Sequence, residues 1–236
     1  MLTNVKALVV GATSVIVNAE NKTYGIPGYA AATIELLEAL NIRSAVAYGW
    51  SLGGYVALEL IPRFPGLIGA MISGAPPVSP SAESIQAAYK PNPQVALFGK
   101  PEFTADDVAI FTAATYGAAA NPTLQQAARR ADGRARATMF AGLFAGQFAD
   151  QRKIVETSPI PIAVVDGADD AFVNTDYVAN LRFADLWDRH YYLLRGVGHV
   201  PFLQAPDLFE PILLRFLADM EKRLIQRSGT ARTAAA

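Results

Sequence analysis

No cysteine occurs anywhere in the 236 residues, and there are only two histidines, His190 and His199. The first absence excludes a disulfide framework, a thiolate nucleophile and any cysteine-ligated metal. The second leaves no H-x-H, H-x-x-x-H or H-E-x-x-H spacing, so chemistry without metal or other cofactor is the expectation. An excess of charge is lacking too, since 20 lysines and arginines face 21 aspartates and glutamates for a net charge of −1. With both signs mixed along the chain there is no electrostatic case for nucleic acid or an acidic membrane surface, and a small molecule is the expected partner. No apolar run reaches the ~18 residues that span a bilayer.

What is present is apolar: 52% of the residues are hydrophobic and 17% charged, enough for one sizeable α/β domain or a core carrying an insertion. Near the start, Lys6, the run over residues 7–17 and the tripeptide Val17-Asn18-Ala19 weakly resemble a short secretory signal. A buried strand pair broken by Gly11-Ala12-Thr13-Ser14 accounts for the same residues, and with it the cytoplasm is the expected location.

Further on, Ile34, Leu36, Leu37 and Leu40 recur at helical spacing, with Asn41 as a stop. The run "SAVAY" (44–48) then empties into glycine, as do "LIGAMISGAPP" (67–77), "PIPIAVVDGADDAFV" (159–173) and "HYYLLRGVGHVPF" (190–202). Helical patterns follow, notably "TDYVANLRFADLW" (175–187) and "PDLFEPILLRFLADMEKRLI" (206–225). Alternating strand and helix implies an α/β fold with a mostly parallel sheet wrapped by helices. Residues 78–158 break the rhythm with helical windows and no convincing strand, so they are expected to form an inserted helical cap between core segments 1–77 and 159–227. Residues 228–236 lack an apolar face and read as a disordered tail.

Gly49-Trp50-Ser51-Leu52-Gly53 is G-x-S-x-G between a strand and a helix, the context of a nucleophile elbow. Small residues two positions either side of the serine are needed because strand and helix nearly touch there. A dinucleotide fingerprint would need G-x-G-x-x-G, and Trp50-Ser51-Leu52 puts bulk where a pyrophosphate would approach. A serine hydroxyl is a weak nucleophile until an imidazole takes its proton and a carboxylate orients that imidazole. The chain supplies both at strand ends, in the order serine, acid, histidine. His199, in "RGVGHVPF", follows an apolar run, whereas His190 stands beside Asp188 and Arg189 and reads as a surface residue. For the acid, "DGADDAF" offers Asp166, still at the strand end, and Asp169 and Asp170 on the loop beyond; Asp170 is preferred and Asp169 is the alternative.

Over residues 23–220 these phrases resemble the α/β-hydrolase family in its serine hydrolase branch, with "GWSLGG", "DGADDAFV" and "GVGHVPFLQAP" standing where that family has nucleophile, acid and histidine. The resemblance implies the α/β-hydrolase fold, a parallel sheet with a helical cap over a triad of Ser51, Asp170 and His199, and the Leu52 N–H as an oxyanion donor. More narrowly, "YGWSLGGYVALELIPRFP", "MISGAPPV", "DGRARATMF" and "PIAVVDGADDAFV" resemble the metal-free N-acyl-homoserine lactonases of the AidH type. That implies lactone opening and a role in quorum quenching. The family also carries an HG-type loop after an early strand, which gives the second oxyanion donor. No histidine precedes His190, and residues 14–23 leave no room for the helix and strand that should intervene. The expectation is therefore a chain truncated or altered in its N-terminal strands, and loss of one oxyanion donor typically lowers rates by about 10²–10³.

The expected function is hydrolysis of carboxylic esters or lactones, with Trp50, Phe111, Met139, Phe140 and Phe172 as candidates for lining an acyl pocket. Core packing explains each of those five equally well. Two other readings stand beside it: a catalytically impaired fragment or ligand-binding relative, and a carbon-carbon hydrolase, esterase or acyl transferase of the same fold.

Overall fold

A computed structural model describes the backbone of residues 6–10 and 24–234, and side chains over residues 24–226. Among the described residues five strands, β1 (Lys6–Val10), β2 (Ala45–Trp50), β3 (Leu67–Ser73), β4 (Ile162–Gly167) and β5 (Leu186–Leu194), lie side by side in chain order. Every pairing is parallel. The reason lies in the sequence: β2, β3 and β4 are near-continuous apolar runs, which suit strands covered on both faces. Alternation divides their side chains between two cores. Ala45, Ala47, Ile72 and Val164 face one core with Tyr55, Leu58 and Leu60 of α2 (Leu52–Leu60) and Ile26 and Leu37 of α1 (Ile26–Ala39). Val46, Tyr48, Met71 and Val165 face the other, against Phe209, Phe216 and Met220 of the last helix, Pro206–Ala234.

Between β3 and β4 the chain makes six α-helices, α3 (Ala82–Ala88), α4 (Val95–Phe98), α5 (Ala105–Tyr116), α6 (Pro122–Arg130), α7 (Gly133–Phe144) and α8 (Gln151–Thr157), with a short 3-10 turn, Gly117–Ala119, between α5 and α6. Several starts are fixed by side chains that accept orphan backbone N–H groups: Ser81, Asn121, Asp132 and Asp150, with a reciprocal capping box between Thr104 and Asp107. Glu59 ties this segment to α2, because its fully buried carboxylate accepts the Ala149 N–H at 3.0 Å and pairs with Arg63.

Two expectations are corrected. Helical spacing over residues 175–187 yields only α9 (Thr175–Ala179); the Asn180 amide then donates to the Asp176 carbonyl and closes the turn. Leu186 and Trp187 already belong to β5, because Trp187 is buried against Phe216, a tertiary contact that overrides local periodicity. The strand bulges at Asp188 and Arg189, both at positive φ, and so shifts its register on β4 between Ile162 and Val164. At the other end, α10 (Pro201–Gln204) leads into α11 (Pro206–Ala234), which runs past residue 228 where a disordered tail was expected. Adding turns to an existing helix carries no new nucleation cost, so weak residues are carried along.

Residues 11–23, with Gly11–Ser14 and most of the signal-like run, lie outside the described residues. Among the described residues no helix is long and apolar enough to cross a membrane.

Candidate active site

The turn from β2 into α2 places Ser51 at φ 53° and ψ −127°, a conformation few non-glycine residues adopt. It persists because the surroundings fix it: the Ser51 N–H donates to the Ser73 carbonyl and the Gly54 N–H donates to the Ser51 carbonyl, each at 2.8 Å. A Cβ on Gly49 would lie 2.2 Å from the Gly53 carbonyl oxygen, so the strand and helix meet where only hydrogen fits. Ser51 is thus held at the first turn of α2, where backbone N–H groups have no intrahelical partner.

The loops after β4 and β5 bring the acid and the imidazole together. Asp170 Oδ2 lies 2.7 Å from His199 Nδ1, and Oδ1 accepts the N–H groups of Phe172 at 2.8 Å and Val173 at 3.0 Å. Asp170 is 1% exposed and His199 5%. Burial alone pushes the Asp170 carboxyl up, but the facing His199, through charge and ring hydrogen bond, and the two backbone N–H groups hold it below the ordinary value. With Nδ1–H committed to Asp170, Nε2 is left as the accepting nitrogen. Asp169 is exposed, and so is His190, whose ring meets Tyr192.

A second buried carboxylate supports the imidazole from behind. Asp166 accepts the Gly74 N–H at 2.6 Å and the Tyr191 hydroxyl at 2.9 Å, and burial raises its pKa to about 6. Gly74 has φ +61°, and a Cβ there would stand 2.7 Å from His199 Cε1. The end of β3 therefore forms a close backing for the His199 ring.

Ser51, Leu52, Gly74 and His199 line a cavity of about 520 Å³, a size usual for small-molecule sites. The opposite wall comes from the inserted helices and is largely aromatic and aliphatic: Ile85, Phe98, Phe140, Leu143 and Phe144, with Phe172 from the acid loop. Rings follow one another from the exposed Phe144 through Phe140, Phe98 and Phe172 to His199. Of the five pocket candidates, Phe140 and Phe172 line this cavity. Trp50, Phe111 and Met139 do not, each for a local reason. Strand alternation sends Trp50 to the other side of the sheet, where its indole N–H donates to the His199 carbonyl at 2.7 Å and its ring packs on Phe202. Met139 adjoins Phe140 on α7, so the helical turn directs it into the core instead. Phe111 lies behind Phe98, between it and Phe103.

Sequence reasoning missed Gly74, Lys90, Asn92, Phe98 and Phe144 as lining residues. Gly74 had a signal, an apolar run that empties into glycine; the others sit in helices and connections whose patterns carry no mark of which face meets the cavity.

A model of the alpha/beta hydrolase family matches residues 18–212. Among solved structures, the chain is similar to the N-acyl homoserine lactonase AidH complexed with N-butanoyl homoserine, at 38% identity and a TM-score of 0.82, over 86% of this chain and 73% of that one. A variant of AidH complexed with N-hexanoyl homoserine lactone gives 36% identity and 0.84, over 89% and 78%. The thermophilic esterase from Thermogutta terrifontis, at 16% identity and 0.66 over 90% and 77%, is alike in fold alone. No curated protein sequence matches the chain.

Proposed function

Because the chain belongs to the alpha/beta hydrolase family, we propose that it is a serine hydrolase of carboxylic esters and lactones, and that its substrates are N-acyl-homoserine lactones. One observation carries the mechanism: the 2.7 Å contact of Asp170 with His199, in a cavity that Ser51 and His199 share. In this reading Ser51 Oγ attacks the lactone carbonyl while His199 Nε2 takes its proton. The Leu52 N–H, at the positive end of α2, supports the oxyanion. The carbonyl reforms, the ring C–O bond breaks, and His199 returns the proton to the departing ring oxygen. That alcohol stays attached through its own chain, so the acyl-enzyme holds the whole opened substrate. Water activated by His199 then releases N-acyl-homoserine and restores Ser51.

The apolar wall of Phe140, Phe144, Phe98 and Phe172 suits an acyl chain, and the likeness to AidH supports a lactone as the ring that opens. Removal of such signalling molecules would make the role quorum quenching. Acid release from N-acyl-homoserine lactones in a pH-stat, beside p-nitrophenyl ester hydrolysis, tests the reading. Ring opening is expected, with Ser51→Ala lowering kcat by about 10⁴–10⁶. Turnover of neither substrate class, or a Ser51→Ala variant as active as the native chain, would overturn it.

A further inference from the structure

The chain leaving α3 is joined to the loop that carries Asp170. Tyr89 forms an isolated antiparallel bridge with Val173, and the Lys90 N–H donates to the Phe172 carbonyl at 2.7 Å. From the other side, the Asn174 N–H donates to the Ala88 carbonyl and its side-chain amide to the Ala87 carbonyl, each at 2.9 Å. Asn92 Nδ2 donates to the Ala171 carbonyl at 3.2 Å. One side chain reaches the acid residue itself: Lys90 Nζ donates to the main-chain carbonyl of Asp170 at 2.7 Å.

We propose that Lys90 is a positioning residue for the triad, acting through Asp170. The Asp170 carboxylate is aimed by the N–H groups of Phe172 and Val173, two and three residues ahead in its own loop. Those donors stay in place only while the peptides of that loop keep their orientation. Lys90 fixes the loop at two points, the Asp170 carbonyl by its ammonium and the Phe172 carbonyl by its backbone. A charged donor makes the first of these the stronger kind of hydrogen bond. Lys90 also lines the cavity, so the residue that borders the ligand holds the acid, and the inserted helices become part of the triad's support.

The kinetic arm rests on the serine hydrolase reading; a spectroscopic arm does not. Lys90→Met keeps the stem and removes the ammonium, while Lys90→Arg keeps a charged donor. On a p-nitrophenyl ester, Lys90→Met is expected to lower kcat about 10- to 100-fold, the scale of a misplaced catalytic group, with KM within a factor of about three. Lys90→Arg is expected to recover most of the loss. In an Asp170→Asn background, Lys90→Met should cost nothing further, because the group it positions is gone. The low-field proton resonance of the His199 Nδ1–H should shift or broaden in Lys90→Met and return in Lys90→Arg. An unchanged kcat, a rise in KM alone, or an equal loss with and without the Asp170 carboxylate would overturn the proposal. Should the native chain hydrolyse no ester, that failure belongs to the serine hydrolase reading, and the resonance decides alone: moved in Lys90→Met it supports the role, unmoved it overturns it.

Discussion

Alanine at Gly74 adds one methyl group, and the structure says what it meets. At φ +61° an L-residue carries a backbone penalty of about 1–2 kcal/mol. The new Cβ would also stand 2.7 Å from His199 Cε1 and 3.0 Å from Nδ1, where carbon contacts are comfortable at about 3.5–4.0 Å. The ring must therefore retreat by roughly 1 Å, a displacement that costs about 10²-fold when it moves a catalytic group. Retreat is hindered, since Phe172 and Trp50 hold the ring with centroids at 5.1 and 5.4 Å. Gly196 supplies the control: its φ is +72°, but a Cβ there meets nothing within 4 Å. Gly196→Ala should lose about 1–2 kcal/mol in urea titrations and Gly74→Ala at least as much, and Tm should fall by roughly 2–4 °C per kcal/mol. Only Gly74→Ala should lose kcat, by about 100-fold on a p-nitrophenyl ester, while Gly196→Ala stays near native. A fully active Gly74→Ala, or an equal loss of kcat in Gly196→Ala, would refute the claim that the end of β3 backs the imidazole.

Three further outcomes are expected. Burial raises Asp166 to about 6, so the folded chain binds this proton more tightly than the unfolded one, and the associated stability is complete below about pH 4 and lost as pH rises through 6. Asp166→Asn should therefore be more stable than the native chain by about 2–3 kcal/mol at pH 8 and nearly equal to it at pH 3.5; urea titrations at both pH values that showed it weaker at pH 8 would contradict this. Phe140→Ala should raise KM for longer acyl chains with little loss of stability, whereas Met139→Ala should lower stability by about 2–5 kcal/mol with KM unchanged; paired kinetics and thermal melts separate the two, and a KM effect of Met139→Ala would refute the assignment. Glu59→Ala leaves the Ala149 N–H without its acceptor while the exposed Arg63 turns to solvent, and should cost about 1–3 kcal/mol in urea titrations while leaving Ser51 chemistry intact.

The parts of this molecule written in consecutive residues were legible beforehand. The elbow was, because strand, glycine, serine and helix must follow one another within a few positions for Ser51 to hold its backbone. So was the order of Ser51, Asp170 and His199, each on a loop after an apolar run. Choosing Asp170 over Asp169 needed only one residue of phase, which the loop's turn toward Phe172 and Val173 supplies in space. What could not be read is set by packing between distant segments. Trp187 reads as helix until Phe216 is seen against it, and Trp50 reads as a pocket wall until the strand's alternation is fixed by Ala47 and Tyr48. Lys90 carries no motif at all; its meaning lies in a bridge 80 residues along the chain.

If Ser51, activated by His199 on Asp170, is the nucleophile, a fluorophosphonate will find it, and intact and peptide mass spectrometry after treatment reads the outcome. One phosphonyl group per chain is expected, on Ser51, formed far more slowly in His199→Ala and absent in Ser51→Ala. An unmodified chain, or an adduct on any other residue, would contradict it.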